Sequence, residues 1–190
     1  MDRPKIYSPS PGDDSSSNRA PRKQTQPNNV LPMHVRQAQL AWVDIRQVVD
    51  EVCGQLDQKF RAAAIETTID IPAESGALAD RDMLRQAITH LVTNALEAMP
   101  RGGRLVITSY CGQRGLELEV ADSGHGLSAD GLRRAFEPFY TTKGDGAGLG
   151  LAYVRRVAEA HGGDVVAMNC PEGGAAFTLR LASGARRLAA

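Results

Sequence analysis

The sequence lacks three features, and each absence excludes a class of protein. No stretch approaches eighteen consecutive apolar residues and no apolar secretory segment opens the chain, so we expect a soluble, cytoplasmic protein. The 22 basic and 22 acidic side chains cancel, which leaves no long-range field to attract nucleic acid or an anionic membrane. The three cysteines, Cys53, Cys111 and Cys170, form neither a C-x-x-C pair nor an even disulfide set, and we expect reduced core residues. Because the net charge is zero, any phosphate site must be formed by a local group of residues.

The chain is long enough for one domain, which we place at residues 35–185. Its 190 residues are 42% hydrophobic, enough for a single core of ordinary size. Residues 1–34 are mostly rich in Ser, Pro, Asn and charged residues and carry few large apolar groups to offset the entropy of ordering. We predict a disordered tail there, and a short C-terminal tail at residues 186–190.

Hydrophobic periodicity predicts three helices and five strands. Asp44 and Asp80 are the predicted N-caps of the first two helices, and a third helix follows from Gly150 to His161. The strand patterns alternate between apolar and polar residues, as in Leu116 to Val120, which indicates a sheet with one exposed face. We predict an α+β two-layer sandwich with a mostly antiparallel sheet and helices on one face. The predicted strands lie at residues 66–71, 105–110, 116–120, 164–169 and 175–182.

The second helix carries a stripe of polar residues. Steps of four, four and three place Gln86, His90, Asn94 and Glu97 on one side. A solvated surface is the ordinary explanation for such a stripe. Small residues around Asn94, such as Ala95, would also allow its amide oxygen to reach a hydrated Mg²⁺ held mainly by phosphates.

An aspartate followed by glycines comes directly after a predicted strand. Asp122 follows the strand that ends at Val120, and Gly124 and Gly126 let the backbone approach a ligand. A carboxylate in this position could accept a hydrogen bond from an exocyclic amine beside a flat base. An ordinary Asp-Gly turn explains the same residues.

Alternating glycines precede the third helix. Gly144, Gly146, Gly148 and Gly150 are spaced as in loops that aim backbone amides at phosphate oxygens, although a flexible loop also accounts for them. Only the phosphate-loop interpretation explains the abrupt start of a helix straight after the glycines. Lys143 and Arg155 are candidate phosphate partners, and a solvated position is ordinary for both.

Taken in order, four segments resemble the sequence boxes of sensor histidine kinases. Residues 90–99 resemble the N box, residues 122–126 the G1 box, residues 136–143 the F box and residues 146–151 the G2 box. The resemblance covers about residues 37–183 and is strongest to kinases of the nitrogen-regulation type, which carry the same Phe-x-Pro-Phe and Thr-Thr-Lys signature. It implies the Bergerat α/β sandwich, ATP and Mg²⁺ as cofactors, and phosphotransferase activity in a two-component pathway.

The resemblance also implies residue roles. Asn94 would hold Mg²⁺, and Asp122 would bind the adenine amine. Lys143 would approach the γ-phosphate, and His90, Asn94 and Lys143 would form the catalytic set. The base would be admitted by Gly124 and Gly126. A lid over the phosphates would have its hinge and floor at Gly146, Gly148 and Gly150, and would be anchored in the core by Phe136 and Phe139. The cofactor-binding set is completed by Thr142 and Leu149.

Two departures from the family pattern affect these expectations. His90 stands where most of these kinases have an asparagine, and it either contacts a phosphate or metal-bound water or is a tolerated polar substitution. The two-helix hairpin that bears the phosphate-accepting histidine is not found before the first helix, and the upstream His34 has no acidic neighbour. We therefore expect the acceptor histidine on another domain or chain, and structural roles for His125 and His161.

Three alternatives remain open at the sequence level. The run from Gly144 to Gly150 mimics a dinucleotide-binding fingerprint, but Tyr140 to Lys143 does not read as a buried strand before it. A non-catalytic binding module with an ATP-dependent lid, or a serine kinase resembling the anti-sigma factors, would also lack the hairpin.

Overall fold

A computed structural model of the chain describes residues 37–143 and 146–183. The predictions for the tails at residues 1–34 and 186–190, for His34 and for Gly144 lie outside this part. The strands are β1 (Ala41–Asp44), β2 (Ile65–Asp70), β3 (Gly76–Ala79), β4 (Gly103–Gly112), β5 (Gly115–Asp122), β6 (Val165–Asn169) and β7 (Ala175–Ala182). The helices are α1 (Ile45–Ala62), α2 (Arg81–Ala98), α3 (Ala129–Arg134) and α4 (Gly150–Ala160).

The main sheet has five strands in the order β2-β4-β5-β7-β6. Only β2 and β4 pair in parallel; the other three pairs are antiparallel. Leu116, Leu118 and Val120 of β5 are buried while the glutamates between them are partly exposed, and α1, α2 and α4 contact the sheet. The predicted mixed, mostly antiparallel sheet with helices is confirmed.

Both predicted helix caps are confirmed. The Asp44 side chain accepts a hydrogen bond from the Gln47 amide at 3.0 Å, and that of Asp80 accepts from the Met83 amide at 3.1 Å. The caps fix where each helix begins, because the first amides of a helix have no carbonyl partner within it. In α2 the apolar residues between Met83 and Leu96 face the core, which leaves Asn94 only partly buried.

Three elements were not predicted. The four-residue strands β1 and β3 pair with each other, and the exposed Trp42 lies so close to Gly76 that a Cβ there would be 2.5 Å from its ring. The short helix α3 is capped by Ser128, which accepts from the Gly131 amide at 3.0 Å. Each of these elements is too short for periodicity to reveal it: β1 and β3 have four residues each and depend on pairing with each other, and α3 has six residues and a local cap.

Two details of the predicted surface differ in the structure. The predicted strand at residues 175–182 alternates apolar and polar residues, but its polar Thr178 is buried, and the Thr178 hydroxyl donates to Glu119 at 3.1 Å. The three cysteines are free, as predicted, but none is fully buried in the core: Cys111 is exposed, and Cys53 and Cys170 are partly buried. Within residues 37–143 and 146–183, no helix combines the length and the apolar character that crossing a membrane requires.

Candidate functional site

The polar stripe of α2 and the glycine loop before α4 face each other across one cleft of about 330 Å³. The amphipathic pattern of α2 buries its apolar side and leaves the stripe free to line this cleft. The structure thus brings together residues that the sequence places about fifty positions apart. The lining residues are His90, Thr93, Asn94, Glu97, Thr141, Lys143, Gly146, Ala147, Gly148, Leu149, Gly150 and Leu151.

Lys143 crosses the cleft to α2. Its ammonium donates to Asn94 Oδ1 at 2.9 Å and also to a carboxylate oxygen of Glu97. Sequence reasoning placed Glu97 on the polar stripe but gave it no role. Asn94 Oδ1 thus accepts a hydrogen bond from a positively charged group. An oxygen that contacts Mg²⁺ must likewise face a cation.

Mg²⁺ fits this cleft only as an ion held largely by phosphates. In the described part of the chain, no group of three His, Cys, Asp or Glu side chains could hold a metal by itself. Mg²⁺ prefers oxygen ligands and commonly keeps waters and substrate phosphates around it. An amide oxygen on Asn94 beside the Glu97 carboxylate suits that mode of binding.

Asp122 ends β5 as a buried carboxylate, only 4% exposed. Its Oδ1 accepts from the Gly124 amide at 2.8 Å and more weakly from the Ala175 amide at 3.4 Å. Its Oδ2 is buried and has no hydrogen-bond partner among the described residues. Burial raises the pKa of Asp122, and the two amides and the charges of His125 and Lys143 oppose that rise. A buried acceptor without a partner is costly, so it fits a ligand that brings an N–H donor.

The glycines after Asp122 are required by close backbone packing. A Cβ on Gly124 would lie 2.5 Å from the Ala98 carbonyl oxygen at the end of α2. Gly126 has φ of 71°. The loop is held further by Asn169, which accepts from the Leu127 amide and donates to the Leu127 carbonyl, both at 2.8 Å. No local pattern marked Asn169, because its partner lies 42 residues away.

The glycine loop is fixed to the segment before it. The Phe139 amide donates to the Gly148 carbonyl at 2.8 Å, and Gly148 has φ of 64°. A Cβ on Gly148 would lie 2.6 Å from the backbone carbon of Phe139, so the two segments pack at the limit of contact. Helix α4 begins straight after, with Leu149 at its N-cap position and no side-chain cap. Its first amides therefore lie at the cleft with the polarity that favours phosphate.

His90 lies beneath the start of α4. Its ring makes an edge contact with Tyr153, with centroids 5.4 Å apart, and a Cβ on Gly150 would be 3.1 Å from His90 Nδ1. Burial lowers the pKa of His90, so the imidazole is neutral near pH 7. A neutral imidazole can donate to a phosphate oxygen but adds no charge to the cleft.

The two phenylalanines predicted to anchor the glycine loop differ. Phe136 packs against the core, edge-on to Phe177 with ring centroids 6.2 Å apart. Phe139 is 59% exposed with φ of 66°, so the prediction that it anchors in the core is wrong. The backbone of Phe139 makes the contact instead, through its bond to Gly148.

Six predicted contacts lie outside the cleft lining: Asp122, Gly124, Gly126 and Phe136, described above, and also Thr142 and Arg155. Thr142 is exposed, whereas its neighbour Thr141 lines the cleft and accepts from the Lys143 amide at 3.0 Å. Arg155 pairs with Glu159 at 2.9 Å on the exposed side of α4. The turn at Thr141 directs Lys143 toward α2.

His161 has a structural role, as expected. It is buried, its Nε2 accepts from the Asp80 amide at 2.9 Å and its Nδ1 lies 2.7 Å from the Val157 carbonyl. These contacts describe one neutral tautomer with both nitrogens paired. His125 is exposed and its Nδ1 contacts the Gly126 carbonyl.

A dinucleotide-binding module does not agree with this fold. No strand precedes the glycine loop in residues 136–143, and β6, which follows α4, pairs antiparallel with β7. A dinucleotide fingerprint needs a parallel strand, helix and strand around the loop.

Two proteins similar in sequence to this chain are histidine kinases. The sensor histidine kinase ZraS of Klebsiella oxytoca is 38% identical over 154 residues, which are 80% of this chain and 33% of that protein. The histidine-protein kinase BaeS of Escherichia coli K12 is 33% identical over 149 residues, 75% of this chain and 32% of that protein. The chain thus spans about a third of the length of these relatives. The special resemblance to nitrogen-regulation kinases stays a prediction.

Solved structures show the same fold. The catalytic domain of histidine kinase ThkA superposes with a TM-score of 0.71 at 27% identity, over 76% of this chain and 96% of that one. Full-length ShkA, solved in complex with AMPPNP, gives 0.67 at 31% identity, over 79% of this chain and 33% of that one. Residues 79–184 match the model of the histidine kinase-, DNA gyrase B-, and HSP90-like ATPases. The chain therefore belongs to this ATPase family and carries its ATP-binding domain.

Proposed function

We propose that the chain is the Mg-ATP-binding catalytic domain of a two-component sensor histidine kinase, and that it transfers the γ-phosphate to a histidine on another domain or chain. The observation that carries the proposal is the buried Asp122 carboxylate with one oxygen unpaired. An adenine amine would satisfy that oxygen. The cleft between α2 and the glycine loop supplies backbone amides and an ammonium group that would contact the phosphates.

Each residue has a distinct task in this proposal. Asp122 accepts the adenine amine, while Asn94 contributes an oxygen to Mg²⁺. The first amides of α4 and the Lys143 ammonium contact the phosphates. Mg²⁺ bound there would neutralise charge on the phosphate oxygens. Gly148 keeps the loop close enough to the cleft for its amides to reach them.

The acceptor must be presented from outside the cleft. Phosphoryl transfer depends on holding the nucleophile in line with the γ-phosphate, and positioning supplies most of the rate. Among the described histidines, His161 is buried and paired, His125 bonds to the neighbouring backbone, and His90 packs against Tyr153 beneath the start of α4. The relatives that match this chain are sensor histidine kinases, and the aligned residues cover only about a third of their length. Because these relatives are histidine kinases, we propose a histidine as the acceptor.

Labelled phosphate transfer tests the proposal. The 190-residue chain is incubated with ATP labelled on the γ-phosphate, alone and with a histidine-bearing dimerisation hairpin of a related kinase. We expect acid-labile label on the hairpin and none on the chain alone. Asp122→Asn should reduce transfer to the hairpin, which controls for contaminating kinases.

Three results would contradict parts of the proposal. Acid-stable label on a serine-bearing partner would favour a serine kinase, and nucleotide binding with no transfer to either partner would favour an ATP-dependent binding module. Acid-labile label on the chain alone that disappears in His34→Ala would make the chain its own acceptor.

A further inference from the structure

A cation of the protein itself occupies the place that the proposed function gives to the metal. The Lys143 ammonium contacts Asn94 Oδ1 at 2.9 Å and a Glu97 carboxylate oxygen. Lys143 lies 49 and 46 residues from these partners in the sequence, so the contact joins two separate elements. It is therefore a tertiary contact and not a pair formed within a helix.

The backbone beside Lys143 is arranged for this contact. The Thr141 hydroxyl accepts from the Lys143 amide at 3.0 Å and donates to the Lys143 carbonyl at 3.2 Å. This tight turn holds the root of the side chain while the stem spans the cleft. On α2, Asn94 and Glu97 are three residues apart and so lie on the same side of the helix. Both oxygens are thus presented to one point.

We propose that Lys143 and Mg²⁺ compete for the pair of oxygens on Asn94 and Glu97. Glu97 is then part of the metal site, as the negative charge that attracts either cation. The inference rests on the proposed function, because it takes Mg²⁺ and an adenine nucleotide as the ligands. It assigns Glu97 a role and gives Lys143 two alternative positions.

Competition follows from the chemistry of the two cations. An ammonium and a Mg²⁺ ion cannot both contact Asn94 Oδ1 without strong repulsion at such short distance. A metal that arrives with the nucleotide must therefore displace the ammonium. The released ammonium is left beside the phosphates, where it gains new partners. Exchange of one cation for the other thus couples metal binding to the phosphate contact of Lys143.

The expected size of the effect is modest. The side chains of Lys143 and Glu97 are 36% and 51% exposed, and ion pairs with that much solvent contact are weak. Removing the lysine should therefore strengthen metal binding by about threefold to fivefold, the upper part of the range that an exposed ion pair provides. Glu97 is needed for this gain, because its charge holds the ammonium in place.

The test measures how much Mg²⁺ strengthens binding of ADP. ADP lacks the γ-phosphate, so loss of a γ-phosphate contact by Lys143 does not obscure the metal effect. For each variant, calorimetry gives the ratio of ADP affinity with Mg²⁺ to ADP affinity with a chelator. We expect Lys143→Met to raise this ratio about threefold to fivefold over that of the unmodified chain. In a Glu97→Gln background the same substitution should change the ratio by less than about twofold.

Controls separate competition from general effects of charge and folding. Arg155→Met removes a positive charge of similar size outside the cleft and should leave the ratio unchanged. Melting temperatures show whether each variant is folded, and Lys143→Gln serves as a second variant at the position. An unchanged or lower ratio in folded Lys143→Met would overturn the competition while leaving the proposed function intact. Failure of the unmodified chain to bind ADP at all would overturn both.

Discussion

The burial of Asp122 has a cost that its protein neighbours offset only in part. One oxygen is paired with backbone amides and the other is buried without a partner in the described structure. Burial raises the pKa of this carboxyl above its ordinary value of 3.8. The unfolded chain therefore ionises more readily than the folded one. The contribution of Asp122 to stability must fall as the pH rises from 3.8 through the higher folded-state pKa, and then stay constant.

Asp122→Asn should separate stability from binding. The neutral amide removes the cost of burying a charge, so its stability relative to the unmodified chain should rise with pH across that window and then level off. Loss of a charge-assisted hydrogen bond to adenine costs about 1.5 to 3 kcal/mol, or roughly ten- to a hundredfold in ATP affinity. Thermal melts from pH 4 to 8 and calorimetry measure the two effects. An unchanged ATP affinity would remove Asp122 from the site.

At the scale of the elements, one buried contact joins the start of α2 to the end of α4. The Asp80 amide donates to His161 Nε2, and the Asp80 carboxylate accepts from the amides of Met83 and Gln39. The two helices that form opposite walls of the cleft are thus held together at a distance from it. His161 therefore acts on the fold rather than on the phosphates.

His161→Ala should lower stability and spare nucleotide binding. The substitution leaves the Asp80 amide without its acceptor, which costs about 1 to 3 kcal/mol for a buried group. Denaturant unfolding should show that loss, while the ADP affinity of the folded variant stays within about twofold. His125→Ala, at an exposed position in the G1 loop, should change stability little. Equal losses of stability in His161→Ala and His125→Ala would show that the hydrogen bond between Asp80 and His161 does not stabilise the fold.

A second prediction at this scale concerns Gly148. Gly148→Ala must adopt φ of 64° and places a Cβ 2.6 Å from the Phe139 backbone, so the loop should move away from the cleft. Gly173→Ala is the matched control, because it also has positive φ but meets nothing within 4 Å. Both should lose roughly 1 to 2 kcal/mol of stability through backbone strain. Only Gly148→Ala should lose ADP affinity; an equal loss in both would contradict the loop contact.

The sequence predicted the long elements better than the short ones. Helix α2 carries its own cap and a continuous apolar side, so local pattern was enough to place it. Strands β1 and β3 exist because they pair with each other, and Trp42 covers Gly76, which is information spread over 35 residues. The same distinction holds in the site. Asn94 belongs to a periodic stripe, whereas Asn169 and the contact of Lys143 with Glu97 depend on distant partners that no local pattern marks.

On the scale of the whole molecule, the fold brings four short sequence segments together around the C-terminal half of α2. The N box lies on α2, the G1 box ends β5, and the F and G2 segments form the loop that leads into α4. None of these segments could form a nucleotide site by itself. The five-stranded sheet fixes the end of β5, and α2 and α4 pack on each other to shape the cleft. We therefore propose that these segments together bind Mg²⁺ with an adenine nucleotide.

Calorimetric titration with ATP, with and without Mg²⁺, measures whether the chain binds the nucleotide and whether the metal strengthens that binding. The unmodified chain should bind ATP more tightly with Mg²⁺ than with a chelator, and should not bind NAD. Asn94→Ala should reduce the Mg²⁺ enhancement by about tenfold and keep the melting temperature, because α2 retains its apolar side. Gln86→Ala, on the same stripe but outside the cleft, should keep the enhancement. No binding of ATP, or an Asn94→Ala variant that melts earlier yet keeps its full dependence on Mg²⁺, would contradict the account.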